Sequence, residues 1–388
     1  MNIDAKNLTK AIESKVDKSK WVKWKFSDLV ENIVEKVVPK TCGLEDYIGL
    51  KHLDTGSLKI RRYGKCSEIS GDKLKIYKGD LIFAKRNSYL KRVAIADFDA
   101  VASAHSLVLR AKPENVLPEL LPFFMMSETF WTRAIEISVG SLSPTINWRV
   151  LAKQEFLLPP KEQQAELAEL FWSMEEMIEK ELALLDKLDI LYLSIKKDYF
   201  SKENDYHVVT LGELVKIKSG DSPSKFKLNQ NGSGIPFNKV ADMNETTKYQ
   251  KFAKEWAAPI ESKIIKAGSV IFPKRGASIM TNKVRIAEQD CHVDTNIMAL
   301  SINDDSVLLN EYLYYFLLFK GLYKIADTAQ IPQINNIHIN PYPIHLPPAD
   351  IQRSLVQKLN LIMDEQNDAK CKLCVTISLK KSLINKVF

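Results

Sequence analysis

The 388-residue sequence repeats itself at a separation of 188–189 positions, and no other feature limits its fold as tightly. KGDLIFAKRNS (78–88) returns as KAGSVIFPKRGAS (266–278). GSLSPTINWRVLAKQEFLLPPKEQQAEL (140–167) returns as TAQIPQINNIHINPYPIHLPPADIQRSL (328–355). The second match lays Pro144 on Pro332, Ile146 on Ile334, Asn147 on Asn335, Pro159-Pro160 on Pro347-Pro348 and Gln164 on Gln352. The same step carries Phe200 onto Phe388, and FSDLVENIV (26–34) resembles LGELVKIKS (211–219). The chain is therefore two diverged copies of one unit, about 21–200 and 206–388, behind an unmatched extension at 1–20.

Both copies run in one order. Short apolar runs come first: DLIFAK (80–85) and RVAIAD (92–97), then SVIFPK (269–274) and KVRIAE (283–288). Their β-branched and aromatic content at period two predicts half-buried strands. An aromatic helical run follows at 120–135 and 310–325, which reads as a helix packed on a sheet. A Pro-Pro dipeptide then ends one element and pre-sets the entry to the next. Each copy closes in one long helix, 161–200 and 349–388. In the first, Leu167, Phe171, Met174, Ile178, Leu182, Leu185, Leu188, Tyr192, Ile195 and Tyr199 recur at steps of three and four. In the second, Leu355, Leu359, Ile362, Gln366, Leu373, Thr376, Leu383 and Val387 keep the spacing with more polar members. At 1.5 Å per residue each helix spans roughly 60 Å. A stripe that narrow requires a partner helix, and the duplicate is the natural one. The expected fold class is α+β: two tandem mixed α/β domains (21–160 and 201–348), each followed by a long helix (161–200 and 349–388), the helices paired as an antiparallel coiled coil.

Charge is distributed unevenly under a net +7. Residues 61–92 hold ten basic groups against three acids, and 248–285 hold nine against two; the first long helix holds ten acids against five lysines. Two similar basic domains held apart by a helical pair suit two short stretches of duplex about one turn, ~34 Å, apart. Lys and Arg would neutralise phosphates, while Arg, Lys, Asn and Gln would reach base edges. The loops after the strands supply Lys85, Arg86, Asn87, Ser88, Lys91 and Arg92 in the first copy, with His105 nearby. The second supplies Lys274, Arg275, Ser278, Asn282, Lys283 and Arg285.

The double layout, the LPPKEQQAEL and LPPADIQRSL helix starts, the GSLSPTINW and AQIPQINN segments and the FSDLV and LGELV openings resemble the specificity subunit of type I restriction–modification systems. The resemblance covers about 21–388. It implies that the mixed domains are target recognition domains reading a bipartite, asymmetric DNA site. It also implies that the long helices are spacers that dock two adenine-methyltransferase subunits, which restriction (translocase–nuclease) subunits can join. S-adenosylmethionine, ATP and Mg are then expected on partner subunits, with no cofactor in this chain. The second helix departs from the first at its start: of Ala349-Asp350-Ile351-Gln352 only Gln352 matches Lys161-Glu162-Gln163-Gln164.

Enzymatic readings fit poorly. Asn340-Pro341-Tyr342-Pro343 holds the letters of the amino-methyltransferase Asn-Pro-Pro-Tyr motif in the wrong order, without a glycine-rich loop before it. No G-x-x-x-x-G-K-[ST] is present. Asp242 with Glu261-Ser262-Lys263 mimics a nuclease set that the other copy lacks. Cys371 and Cys374 form a C-x-x-C with no second pair to complete a zinc site, and five cysteines without an export signal read as reduced thiols. The six histidines show no ligand spacing. No apolar run approaches the ~20 residues of a membrane span, so the chain is expected to be cytoplasmic. A second hypothesis stands beside the first: a non-catalytic coiled-coil adaptor that binds nucleic acid without sequence specificity.

Overall fold

A computed structural model describes residues 18–200 and 206–388, so the extension expected at 1–20 lies, up to residue 17, outside the described residues. The chain divides into two compact units: the first runs to Ala183 and includes Lys370–Phe388, and the second is Leu184–Ala369. Two continuous helices, Lys161–Phe200 and Ala349–Val387, each contribute one half to either unit. Among the described residues no helix is long and apolar enough to cross a membrane.

In the first unit, strand Val22–Lys25 pairs antiparallel with Glu155–Leu158, so the domain's entry and exit lie side by side just before the long helix. A four-stranded sheet places Ser106–Ala111 between Val30–Ile33 and Leu81–Ala84, with Val93–Ile95 at the edge. A five-stranded sheet is built from Lys36–Val37, Lys73–Ile76, Ala100–Ala102, Asp46–Ile48 and Gly64–Lys65. The strand Leu81–Ala84 is buried along its whole length, where period two predicts half-burial. The cause is coverage of both faces. Phe83 packs in an aromatic core with Phe26, Phe130 and Trp131, while Ile82 and Ala84 join Ile48, Ala102 and Val108. The Phe83 and Trp131 rings stack at 5.1 Å, and truncating Trp131 to Ala would cost about 3–5 kcal/mol.

The second unit repeats this plan. Strand His207–Thr210 pairs with Pro343–Leu346, and a sheet places Ile297–Ile302 between Val215–Ser219 and Val270–Pro273, followed by Arg285–Ala287 and Tyr249–Gln250. A three-stranded sheet of Glu255–Ala257, Ile235–Asn238 and His292–Val293 completes it. The aromatic helical run is broken in both units. Ser127 ends Leu121–Met126 and caps Glu128–Glu136 by accepting from the Phe130 amide at 3.2 Å. Gly321, at φ +83°, separates Asn310–Lys320 from Leu322–Ile325, a backbone conformation that favours glycine.

The repeated glutamine explains how each long helix starts. Gln164, fully buried, accepts from the Leu117 amide at 2.7 Å and donates to the Pro159 carbonyl at 2.9 Å. Gln352, fully buried, accepts from the Leu309 amide at 3.0 Å and donates to the Pro347 and Val307 carbonyls at 2.9 and 2.8 Å. One side chain thus satisfies backbone groups that the Pro-Pro entry strands, which is why it persists where its neighbours diverge.

Helix halves run antiparallel within each unit. In the first, Glu175 meets Lys380 at 2.5 Å in a buried ion pair, while Trp21 bonds Gln163 and packs on Phe388, marking the opposite ends as neighbours. In the second, Gln366 donates to Asp189 at 2.6 Å and Lys358 to Tyr199 at 3.3 Å. The structural units therefore do not coincide with the sequence copies. Leu383, Ile384 and Val387, from the end of the second copy, sit in the core of the first unit; Phe200, from the end of the first, sits in that of the second.

Candidate nucleic-acid interface

In both units the strand that ends in a Lys-Arg pair is clamped by the same return loop. The Lys85 carbonyl accepts the Ile146 amide at 2.8 Å and Arg86 bridges Thr145; the Lys274 carbonyl accepts the Ile334 amide at 2.8 Å and Arg275 bridges Gln333. Ile146 and Ile334 are fully buried, so an apolar plug fixes each loop and leaves the arginine exposed. The repeated Pro-x-Ile-Asn is the sequence of this clamp. Its asparagine starts a short helix, Asn147 by accepting from the Arg149 amide at 3.0 Å, Asn335 with a capping box closed by His338.

The sequence-selected residues separate into two groups. Lys85, Arg86 and His105 converge in the first unit, with Asn87 next to Arg86 in the chain. Arg86 Nη1 lies 3.5 Å from His105 Nε2, and Lys85 lines a cavity of about 480 Å³ together with Lys36, Lys73, Asn32, Asn147 and Trp148. Burial holds the Lys85 ammonium below its ordinary range. Burial, then Arg86, Lys85 and Lys73, hold His105 below 6.5, so its ring is neutral at pH 7. In the second unit, Lys274 donates to Ser219 Oγ at 2.8 Å and is held low by burial and by Arg275, against Asp294. Arg275 is exposed and Ser278 half-exposed.

The remaining candidates serve the fold. Ser88 is fully buried and presents no face to a base. Lys91, at φ +48°, is paired with Glu128, and Arg92 donates to the Leu50 carbonyl. Asn282 occupies the matching left-handed position at φ +49°, its amide donating to Leu318 and accepting from the Leu322 amide, both at 2.9 Å. Lys283 donates to Asn244. Arg285 is spent on Thr246, on the Met243 carbonyl at 2.7 Å and on its neighbour Val284. These cations hold loops together, and a count of positive residues cannot distinguish them from free ones.

Two carboxamides outside the charge pattern lie at this edge: Gln333 pairs with Arg275, and Asn296 lies opposite its neighbour Lys274. The Asp294 carboxylate accepts the Asn296 amide N–H at 2.6 Å, as Ser103 Oγ accepts that of His105 at 3.2 Å. Each small turn therefore presents its third residue at the Lys-Arg edge, His105 against Arg86 and Asn296 opposite Lys274. The Asp-x-Asn spelling of an Asx turn was the available signal. The other sequence patterns resolve as structure. The Asn340 and Tyr342 carbonyls accept the Gly212 and Leu211 amides, as Ala152 accepts that of Ser27. Asp242 accepts the Lys239 amide at 2.9 Å. Cys371 and Cys374 are exposed free thiols, and among the described residues no three His, Cys, Asp or Glu gather to hold a metal.

The described chain thus carries two copies of one mixed domain, two long helices and two matched basic edges. Residues 19–189 and 203–371 both match the family described as type I restriction modification DNA specificity domain, and the chain belongs to that family. It is 24% identical over 277 residues to the type I restriction enzyme MjaIX specificity subunit of Methanocaldococcus jannaschii, a match spanning 63% of either chain. It is 21% identical over 385 residues to the putative MjaX specificity subunit of the same organism, spanning 89% of this chain and 87% of that one. The type I restriction-modification S subunit of M. genitalium shares the fold, with a TM-score of 0.62 at 15% identity over 95% of this chain and 96% of the other.

Proposed function

We propose that this chain is the DNA sequence-specificity subunit of a type I restriction–modification adenine-methyltransferase complex, each unit reading one half of a bipartite, asymmetric duplex site. The supporting observation is the clamped Lys-Arg edge, built twice on one backbone plan with different side chains around each arginine. Among the described residues Lys85, Arg86, Lys274 and Arg275 form no salt bridge, while Arg61, Arg62, Lys65, Lys75 and Lys91 are neutralised by acids, Arg61 by Glu179 of the acidic helix. Free Lys and Arg supply salt-dependent affinity, and the divergent neighbours supply sequence choice.

The chain's own work is recognition and assembly, and methyl transfer and cleavage belong to partner subunits. Two methyltransferase subunits dock on the long helices. In the second unit Leu184, Ile190, Leu191 and Leu193 leave large apolar side chains exposed on the first helix, the surface a protein partner would cover. Restriction (translocase–nuclease) subunits join that assembly. S-adenosylmethionine, ATP and Mg reside on these partners, and the complex acts on double-stranded DNA in the cytoplasm. Mapping methylated adenines across the host genome, with and without this gene, tests the reading. One two-part motif that vanishes with the gene is expected; an unchanged methylation map contradicts it and leaves the non-specific adaptor.

A further inference from the structure

We propose that Asn296 and Gln333 read adenine in the half-site of the second unit, beside a guanine read by Arg275. The inference rests on the recognition function proposed above and names the bases that one edge selects.

Three chain segments are stitched together there. The Lys274 amide donates to the Asn296 carbonyl at 2.8 Å, Arg275 forms an antiparallel bridge with Gln333, and the Gly276 amide donates to the Pro332 carbonyl at 2.8 Å. The backbone therefore fixes Arg275 and Gln333 as a facing pair and starts the Asn296 side chain one position away, opposite Lys274. Arg275 and Asn296 are exposed and Gln333 is half-exposed. Among the described residues neither carboxamide makes a side-chain hydrogen bond, in contrast to Asn282 and Asn360, whose amides are both engaged within the fold.

The chemistry follows from the donor and acceptor pattern. A carboxamide presents an N–H and a C=O in one plane, matching adenine N6 and N7; a guanidinium presents two parallel donors, matching guanine O6 and N7. The first unit lacks this arrangement. His105 occupies the place of Asn296 against Arg86, and Thr145 occupies that of Gln333 with its hydroxyl donating to the Ser143 carbonyl at 3.0 Å. The carboxamide next to Arg86 in the chain is Asn87, where the second unit has Gly276. The two edges thus carry their amides at different points around the arginine, which gives the halves different sequences on one scaffold.

The test uses the full chain assembled with its methyltransferase subunits, selecting from random duplexes and sequencing the bound pool. With Asn296→Ala and Gln333→Ala combined, discrimination at one adenine of the second half-site should fall roughly 10- to 100-fold, with the first half unchanged. The slope of log affinity against log salt should stay the same, since a phosphate contact and not a base contact would reduce it. Melting temperatures close to wild type confirm that fold is retained. Uniform weakening on every sequence, a reduced salt slope, or an unaltered motif overturns the assignment. A wild-type complex that selects no two-part site fails earlier and takes the recognition function with it, so the two failures are distinguishable.

Discussion

The joint between domain and long helix is aromatic in the first unit and charged in the second. Phe123 packs at 5.1 Å on both Phe171 and Trp172. One repeat later the same positions are Glu311, Leu359 and Asn360. Glu311 accepts from Lys248, from Tyr249 at 2.9 Å and from Asn360 at 3.1 Å, while Tyr315 donates to Asn360 at 2.5 Å. Lys248 also lies over the Tyr249 and Tyr315 rings, each at 5.2 Å. The helix halves show the inverse choice: Glu175–Lys380 stands in the first unit where the second has Met363 and Tyr192. The contrast teaches that this architecture is held by backbone-directed contacts common to both units, at Gln164 and Gln352 and at Ile146 and Ile334. Side chains at the joints are then free to alternate between apolar and ionic solutions.

The largest expected effect separates the two helix pairings. Lys380→Met leaves the Glu175 carboxylate buried without its partner and should destabilise the protein by about 3–5 kcal/mol in denaturant titration. Replacing both members with the second unit's pair, Glu175→Met with Lys380→Tyr, should recover most of that loss. Equal loss in the single and double variants would show that the site cannot accept its counterpart's packing.

Acid should separate the two joints. Burial raises the Glu311 carboxyl, but hydrogen bonds from Lys248, Tyr249 and Asn360 outweigh it and hold the group below its ordinary 4.5. A depressed carboxylate contributes stability that is present above 4.5 and is lost as pH falls through its lower folded value. Amide exchange around Tyr249 and Glu311 should therefore accelerate below pH 4.5 before exchange around Phe123 and Trp172. Simultaneous loss would mean that the charged joint contributes nothing distinctive.

The smallest effect concerns His105. Its folded value lies below 6.5, so protonation is disfavoured in the free protein, and its contribution to stability falls as pH drops below 6.5. Duplex phosphates reverse the local balance, so binding through the first unit should strengthen a few-fold between pH 7.5 and 6. The His105→Gln variant should lose that dependence while the second unit's half-site shows none. A wild-type slope retained in the variant would place the proton elsewhere.

Much of this was legible in the sequence because the repeat samples one fold twice. Residues kept at the 188 step, Pro144, Ile146, Asn147 and Gln164 among them, are those whose partners are backbone groups or a sealed core, and they marked the scaffold correctly. The strands Leu81–Ala84 and Val270–Pro273 were also visible, though not their burial on both faces, since periodicity reports one covering layer and cannot report a second sheet packed behind. The site was only half legible. Arg86, beside His105, and Arg275 stay exposed while Arg92 and Arg285 bind carbonyls, a difference made by Leu50 and Met243, each more than 40 residues away in the chain. Asn296 carries no repeat signal because small insertions move the offset to 191 there, placing it opposite His105 and away from any lettered match.

Whether each unit reads its own half-site is decided by crossing two variants, Arg86→Ala and Arg275→Ala, in the assembled complex and determining the selected duplex sequence for each. Arg86→Ala should blur a guanine position in one half and leave the other intact; Arg275→Ala should do the reverse. Each should cost about 1–3 kcal/mol of discrimination at its own position. Blurring of both halves by either variant, or of neither, would show that the units do not read separate half-sites.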